Sequence, residues 1–205
     1  MTLLKELVFS RQFNNQPRVP QPCFRRRTYL CYLLTGPVTD KGCLQNKKHR
    51  HAEVRFIAKI RSMSLDLDQK HQLTCYLTWS PCPSCAQELV TFMAESRHLN
   101  LQVFVSRLYF HWQRDFQQGL QLLDRSQIKL AVMNLREFTD CWKHFVAHEG
   151  QPLARWDKLE QYSEAIERRL ARILTKPFSS LAHLEDSFRN LQLGSPSPSS
   201  PRNPR

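Results

Sequence analysis

Four stretches of the chain combine apolar with β-branched or aromatic residues, as strands do, and a fifth, at 43–46, returns from a turn next to the first of them. They span residues 28–34, 43–46, 72–79, 101–106 and 129–133. A Gly-Pro turn separates the first two, which predicts an antiparallel hairpin. Helical patterns separate the last three, which predicts parallel pairing with right-handed crossovers. The sequence therefore predicts an α/β fold with a mixed five-stranded sheet.

Apolar residues at helical spacing predict about six helices that cover this sheet. The predicted helices begin at Thr2, His51 and Cys82 and span residues 116–123, 137–147 and 156–174. The first of them is expected to bury one face, made of Leu3, Leu4, Leu7 and Val8. Without a repeat or a mid-chain linker, these elements are expected to form one domain over residues 1–176.

Residues 177–205 are predicted to be a tail outside that domain. A short amphipathic pattern at 179–192 indicates a weakly docked helix, whereas residues 194–205, rich in Ser, Pro and Arg, are expected to be disordered. No run of 18 apolar residues occurs, and the first nine residues are too charged for a signal peptide. We therefore expect a cytoplasmic protein, with the nucleus as a second location and no membrane partner.

His51, Cys82 and Cys85 have the residue types and spacing of three zinc ligands that leave a fourth position open. Both parts of the motif open predicted helices, so the side chains can point from two helix N-termini toward one centre. Such a three-ligand site is typical of catalytic zinc, which makes bound water more acidic. Glu53 is then the predicted acid/base catalyst; the alternative is an ordinary glutamate in a first helical turn.

A Cys-x-x-Cys pair alone also fits a thioredoxin-like redox motif. A redox pair has no use for His51 and Glu53 at a second helix start, whereas tetrahedral zinc needs a third ligand. His-x-Glu followed by Pro-Cys-x-x-Cys is the signature of zinc-dependent base deaminases. The combined motif therefore favours a zinc deaminase.

These residues resemble the AID/APOBEC polynucleotide cytidine deaminases, and among them the single-domain H-type APOBEC proteins. Residues 78–82 (Thr-Trp-Ser-Pro-Cys) and 107–109 (Arg-Leu-Tyr) resemble that family's substrate-facing segments. The likeness runs from residue 2 to residue 175. It implies a cytidine-deaminase-like fold with one zinc site, and deamination of cytosine to uracil in single-stranded DNA as innate defence against retroviruses and retroelements.

The resemblance and the charge pattern also predict a set of substrate contacts. The set comprises Arg25, Arg26, Thr28, Asn46, Trp79, Ser80 and Tyr109. The two aromatic residues would hold an unstacked base, although taken singly each is more often a core residue. The two arginines, together with Arg27, suit a single-stranded phosphate backbone. The loop 107–112 is expected to contact the base 5′ of the target, where the resemblance suggests a pyrimidine.

The formal net charge of +12 is unevenly distributed. Residues 1–61 hold 13 of the 30 Lys and Arg residues but 3 of the 18 Asp and Glu residues. A basic field next to the motif favours binding of a polynucleotide and argues against free cytidine as substrate. A charge that serves only solubility is the alternative.

A second nucleic-acid surface is predicted on the last helix. Arg168, Arg169 and Arg172 lie on its predicted solvent side. The N-terminal arginines and Trp112 are expected to complete a second basic surface with an aromatic residue. Similar family members associate with cellular RNA through such a face, so RNA is a predicted partner, including RNA that bridges a dimer. The alternative is a solvated face in which Glu164 pairs with Arg168 at helical spacing.

Three functions stay open from the residues alone. They are deamination of single-stranded DNA, deamination of RNA or free cytidine, and non-catalytic RNA binding with a structural zinc. Glu53 argues against the third, because a structural zinc site does not need it. The contact to a 2′-hydroxyl that separates RNA from DNA is not readable here.

The five remaining cysteines mostly lie in apolar runs. They are Cys23, Cys31, Cys43, Cys75 and Cys141. We expect them to be small hydrophobic residues, and no disulfide framework is implied.

Overall fold

The computed structural model of the chain describes residues 3–17 and 27–177. A first compact unit spans Met1–Thr175 and a second spans Lys176–Arg205. The predicted tail elements at 179–192 and 194–205 lie outside the described residues, so the predicted division into domain and tail stays a prediction. Among the described helices, none combines the length and the apolar character that a membrane span requires.

Five strands form a mixed sheet: β2 (Tyr29–Thr35), β3 (Asp40–Gln45), β4 (His71–Leu77), β5 (Leu99–Val105) and β6 (Lys129–Val132). Their order in the sheet is β3-β2-β4-β5-β6. Strand β2 is antiparallel to both of its neighbours, whereas β4, β5 and β6 are parallel. The predicted mixed five-stranded sheet is confirmed.

Six helices lie in the described part of the chain. They are α1 (Glu6–Gln12), α2 (Ala52–Arg61), α3 (Pro83–Glu95), α4 (Arg114–Arg125), α5 (Leu135–Phe145) and α6 (Leu159–Leu174). Buried residues of α2, α3 and α4 pack on one face of the sheet. Those of α1 and α5 pack on the other face, and α6 contributes to both cores.

Successive side chains of β2 point alternately into the two cores. Leu30, Tyr32 and Leu34 belong to the core under α2 and α3, while Cys31 belongs to the core under α5. Successive side chains of a strand point to opposite faces, so an almost continuous apolar run is what a strand covered on both sides requires.

The N-terminal segment differs from the predicted helix. Residues Leu4–Lys5 form a short strand, β1, paired in parallel with β7 (Val146–Ala147). Helix α1 begins only at Glu6. The predicted apolar face was wrong, because Leu3 and Leu7 are 42% and 59% exposed.

Aromatic packing explains the register of α1. Phe9 is fully buried, stacks on Phe13 with ring centroids 4.7 Å apart, and meets the edge of Trp142 at 5.4 Å. Large aromatic side chains bury more area than leucine, so they decide which face of a short helix turns inward. The apolar pattern of the first eight residues does not show which face is buried, because the deciding aromatic residues follow it.

Two other helices also differ from the prediction at their ends. The helix predicted over 137–147 runs from Leu135 to Phe145, because the next two residues pair as β7. The long last helix begins at Leu159 rather than at residue 156. Lys158 before it has a left-handed backbone with φ of 57°, which prevents the helix from extending backwards.

We predict that Phe9→Ala lowers the free energy of unfolding by about 3 kcal/mol or more, as loss of a buried aromatic ring does. The matched change Leu7→Ala on the exposed face should stay within about 0.5 kcal/mol. Urea unfolding of both variants measures this. Equal losses would contradict the observed face of α1.

Candidate metal centre and substrate cavity

Three potential metal ligands come together between α2 and α3. The Nδ1 atom of His51 lies 3.2 Å from Sγ of Cys85 and 3.5 Å from Sγ of Cys82. All three ligand atoms lie within 4.8 Å of one another. The structure thus brings together the three residues that the motif predicted as a metal site.

The ends of two helices hold these ligands in place. His51 is the residue before the first turn of α2, and Cys82 has the same position before α3, with Pro83 at the first helical position. Neither side chain caps its own helix. Instead, the side chain of Asn46 accepts a hydrogen bond from the Ala52 amide at 2.8 Å, which leaves the His51 ring turned to the site.

These distances fit zinc. A nitrogen and a sulfur bound to one tetrahedral zinc ion lie roughly 3.6 Å apart, given metal–ligand distances of about 2.1 and 2.3 Å. The two nitrogen–sulfur distances around His51 are within a few tenths of an ångström of that value. One imidazole and two sulfurs are also the donor types that zinc prefers.

The two cysteines differ in their readiness to lose a proton. A hydrogen bond from the Cys85 thiol, helped by Ser84 and His51, lowers the pKa of Cys82 to about 4. The bond to Cys82 and burial raise the pKa of the Cys85 thiol. The lowered pKa of Cys82 favours its thiolate, which is the form that binds a metal.

Glu53 lies in the first turn of α2 and is only 3% exposed. Burial raises the pKa of its carboxyl group above the ordinary value. Its Oε2 atom has no hydrogen-bond partner among the described residues. A buried carboxylate oxygen without a protein partner is costly for stability, and such groups are common where a substrate or water supplies the partner.

A cavity of about 430 Å³ opens beside the three ligands. Its walls include Thr28, Asn46, Trp79, Ser80 and Tyr109, all members of the predicted substrate set. Arg25 and Arg26, the other two members, lie outside the described residues. Arg27, the third residue of the arginine run and a predicted backbone contact, also lines the cavity. Gln45 lines it as well, and no pattern in the sequence points to Gln45.

The sheet explains why these residues meet. Strands β4 and β5 are parallel neighbours, so Trp79 and Tyr109 follow adjacent carboxyl ends. Their rings are 5.9 Å apart in an edge-to-face arrangement. Ser80 joins the two segments, since its amide donates to the Arg107 carbonyl at 2.8 Å and its Oγ accepts from the Tyr109 amide at 2.9 Å.

Arg107 belongs to the segment predicted to face substrate, but its side chain is buried and only 4% exposed. Its guanidinium donates hydrogen bonds to the carbonyl oxygens of Gln12, at 2.7 Å, and Asn14. It also lies over the Trp79 ring, 4.2 Å from the centroid. Arg107 therefore ties a wall of the cavity to the segment that follows α1, a role the motif did not reveal.

A second cavity of about 640 Å³ lies on the other side of Trp79 and Tyr109. Trp112, which is 67% exposed, and Arg169 both line it. Burial and the charge of Arg169 lower the pKa of His111 in the same loop. Two of the four residues predicted to bind RNA thus share one cavity.

The other two predicted RNA residues lie elsewhere on α6. Arg168 and Arg172 are exposed and are not among the residues that line the second cavity. Arg168 pairs with Glu164 at 3.6 Å, as the solvated-face alternative expected. Both side chains are more than 60% exposed, so this pair contributes little to stability.

A buried glutamate beside three potential zinc ligands, at this edge of a mixed sheet, defines a cytidine-deaminase-like protein. The family model described as APOBEC3H matches residues 22–154 of the chain. The chain belongs to the APOBEC3H family, as the resemblance of its motifs predicted.

Relatives of nearly the same length support this assignment. The chain is 51% identical to the DNA dC->dU-editing enzyme APOBEC-3H of Felis catus, over 94% of this chain and 100% of the relative. It is 52% identical to the protein of that name from Macaca mulatta, over 98% and 97%. The human protein of that name is 49% identical, over 84% and 90%.

We predict that Arg107→Lys lowers the free energy of unfolding by about 1 to 3 kcal/mol, because one ammonium group cannot reach both carbonyls and stack on Trp79. Arg168→Lys on the exposed face of α6 is the matched control and should change stability by less than about 0.5 kcal/mol. Chemical unfolding measures both. If Arg107→Lys left the stability unchanged, Arg107 would not hold the cavity wall in place.

Proposed function

We propose that this chain is a zinc-dependent hydrolase that deaminates cytosine to uracil in single-stranded DNA. The observation that carries this proposal is the position of Glu53, buried at the cavity beside His51, Cys82 and Cys85, with one carboxylate oxygen that has no hydrogen-bond partner among the described residues. A structural zinc site would need no such group, which argues against a purely RNA-binding protein.

Zinc at the three ligands would supply a water of lowered pKa and a Lewis acid for the oxygen that attacks C4 of cytosine. Glu53 would accept the proton of that water at Oε2 and deliver it to N3 of the base. It would then take the second proton of the added water and give it to the departing amine, so that cytosine and water become uracil and ammonia. Burial suits this role, because a raised carboxyl pKa lets the same group both take and return a proton near neutral pH.

The cavity supports a base that has left its stack. Its volume of about 430 Å³ falls in the range of small-ligand sites, roughly 300 to 1,000 Å³. Trp79 and Tyr109 offer ring faces and edges to a flat base. Arg27 lines the same cavity and would bind a phosphate of the strand. The names of the relatives specify DNA as their substrate, which favours DNA over RNA for this chain as well.

Membership of the APOBEC3H family supports a role in innate defence against retroviruses and retroelements. Reverse transcripts of such elements would present cytosine in single strands. We propose the cytoplasm as the place of action, with the nucleus as a second location.

We predict one zinc ion per purified chain. Cys85→Ala and His51→Ala should remove it and lower the melting temperature, because the metal joins the ends of α2 and α3. Cys75→Ala, at a buried cysteine of β4 outside the ligand group, should keep the zinc. Elemental analysis with thermal unfolding tests this; a folded wild-type chain without zinc would overturn the metal assignment.

Glu53→Gln should keep the fold and the zinc but lower turnover at least about a hundredfold, the lower end of acid/base contributions. The matched control is Glu88→Gln, an exposed position on α3, which should stay near wild type. Formation of uracil in a single-stranded DNA oligonucleotide is the measurement. Turnover retained by a zinc-loaded Glu53→Gln chain would end the proposed mechanism.

We also propose that RNA binds this protein at a surface distinct from the substrate cavity and bridges two copies of the chain. Trp112 and Arg169 would form its centre at the second cavity, with Arg168 and Arg172 extending it along α6. An exposed indole beside guanidinium groups suits a nucleic acid through stacking and phosphate contacts. The weak Glu164–Arg168 pair would cost little to replace by a phosphate.

Arg168→Glu/Arg172→Glu should reduce the RNA that copurifies with the chain and shift the protein toward the monomer, as nuclease treatment should. Arg136→Glu/Lys143→Glu on α5 makes the same change of charge and should retain RNA. Absorbance ratios, recovered RNA and gel filtration measure this. A wild-type chain free of RNA, or equal losses in both double variants, would contradict the proposed surface.

A further inference from the structure

Two thiols outside the metal centre lie unusually close together. Cys31 and Cys43 stand opposite each other on β2 and β3, and their Sγ atoms are 2.6 Å apart. Non-bonded carbon atoms keep roughly 3.5 to 4.0 Å, and sulfur is the larger atom. The two side chains are thus closer than ordinary packing brings them.

The register of the hairpin puts this pair where a disulfide is geometrically allowed. The Asn46 amide donates to the Thr28 carbonyl at 3.2 Å, directly opposite in the same register. Hydrogen-bonded and non-hydrogen-bonded pairs alternate in an antiparallel ladder. Thr28 and Asn46 are a hydrogen-bonded pair, and Cys31 and Cys43 lie three positions further along the ladder. They therefore form a non-hydrogen-bonded pair.

Such pairs have the closer backbone spacing of the two kinds. Their Cα atoms lie about 4.5 Å apart, which is inside the range of about 4.4 to 6.8 Å found for disulfides. The two cysteines therefore need only a small adjustment of their side chains to form a bond.

We propose that Cys31 and Cys43 form a reversible disulfide across the β2–β3 hairpin by exchange with a low-molecular-weight disulfide such as oxidised glutathione. The Cys43 thiolate attacks one glutathione sulfur and releases the first glutathione. The Cys31 thiolate then attacks the Cys43 sulfur and releases the second. The two protein thiols lose two protons and two electrons, and the glutathione disulfide takes up both.

The surroundings set which thiol reacts first and how fast. Cys43 is half-buried and gives access from solvent, whereas Cys31 is fully buried. Contact with Cys31 and burial raise the pKa of the Cys43 thiol, so its thiolate is scarce and the exchange is slow. Cys141 on α5 also contacts Cys31, but it is fully buried beneath the sheet.

The bond would act on the strand that leads into the metal centre. Strand β3 is at the edge of the sheet, where local opening is easiest. It ends at Gln45, which is followed by Asn46, the residue that caps α2 and lines the cavity. A link from Cys43 to Cys31 would hold this strand in place, independently of the proposed deaminase chemistry.

Incubation of the full chain, with its metal bound, in glutathione buffers of stepped ratio tests the proposal. After alkylation without reduction, trypsin cleaves at Lys41 between the two cysteines. The disulfide would therefore join peptides 28–41 and 42–47, and reduction would release them. We expect this cross-linked pair in most chains under oxidising buffer, and a melting temperature raised by about 5 °C.

Variants separate this pair from the other thiols. Cys43→Ala should abolish the cross-link and the thermal shift, whereas Cys141→Ala and Cys75→Ala should retain both. Glutathione attached to Cys43 without the cross-link, free thiols at every ratio, or a cross-link to any other cysteine would each overturn the proposal.

Discussion

The meeting of two helix N-termini at one point is the constraint on which the rest of the site depends. His51 and Cys82 both occupy the position before a first helical turn, and Cys85 completes the group one turn further along α3. Helix N-termini favour negative charge, so this geometry stabilises a thiolate before any metal is present. Asn46 also contributes to this geometry. Its side chain caps α2 in place of His51, which leaves the imidazole of His51 available to a metal.

The cavity beside this centre depends on a part of the chain far away in sequence. Arg107 connects the Trp79 ring to carbonyl oxygens of residues 12 and 14, and Ser106 donates to the Phe13 carbonyl at 2.5 Å. Asn15 extends the connection to α6 through the Leu159 carbonyl. The segment after α1 therefore links the cavity wall with the helix that carries the proposed RNA surface.

The mixed sheet and the grouping of the three potential metal ligands were predictable from the sequence, because alternation of apolar and polar residues, helical spacing and a motif of four residues each report a local rule. The buried face of α1 was not, since Phe9 finds its partners on α5 only after the chain has folded. The role of Arg107 was missed for the same reason: its acceptors are backbone carbonyls, which no motif encodes. Gln45 lines the cavity only because β3 ends there.

We infer that this cavity acts on cytosine in a single polynucleotide strand. Deamination by the zinc-loaded chain should be compared on four matched substrates: single-stranded DNA, the same DNA in a duplex, the same sequence as RNA, and free cytidine. We expect the single DNA strand to be converted fastest, and the duplex and free cytidine far more slowly. The inference would be wrong if free cytidine were converted as fast as the single strand, or if no uracil formed in DNA.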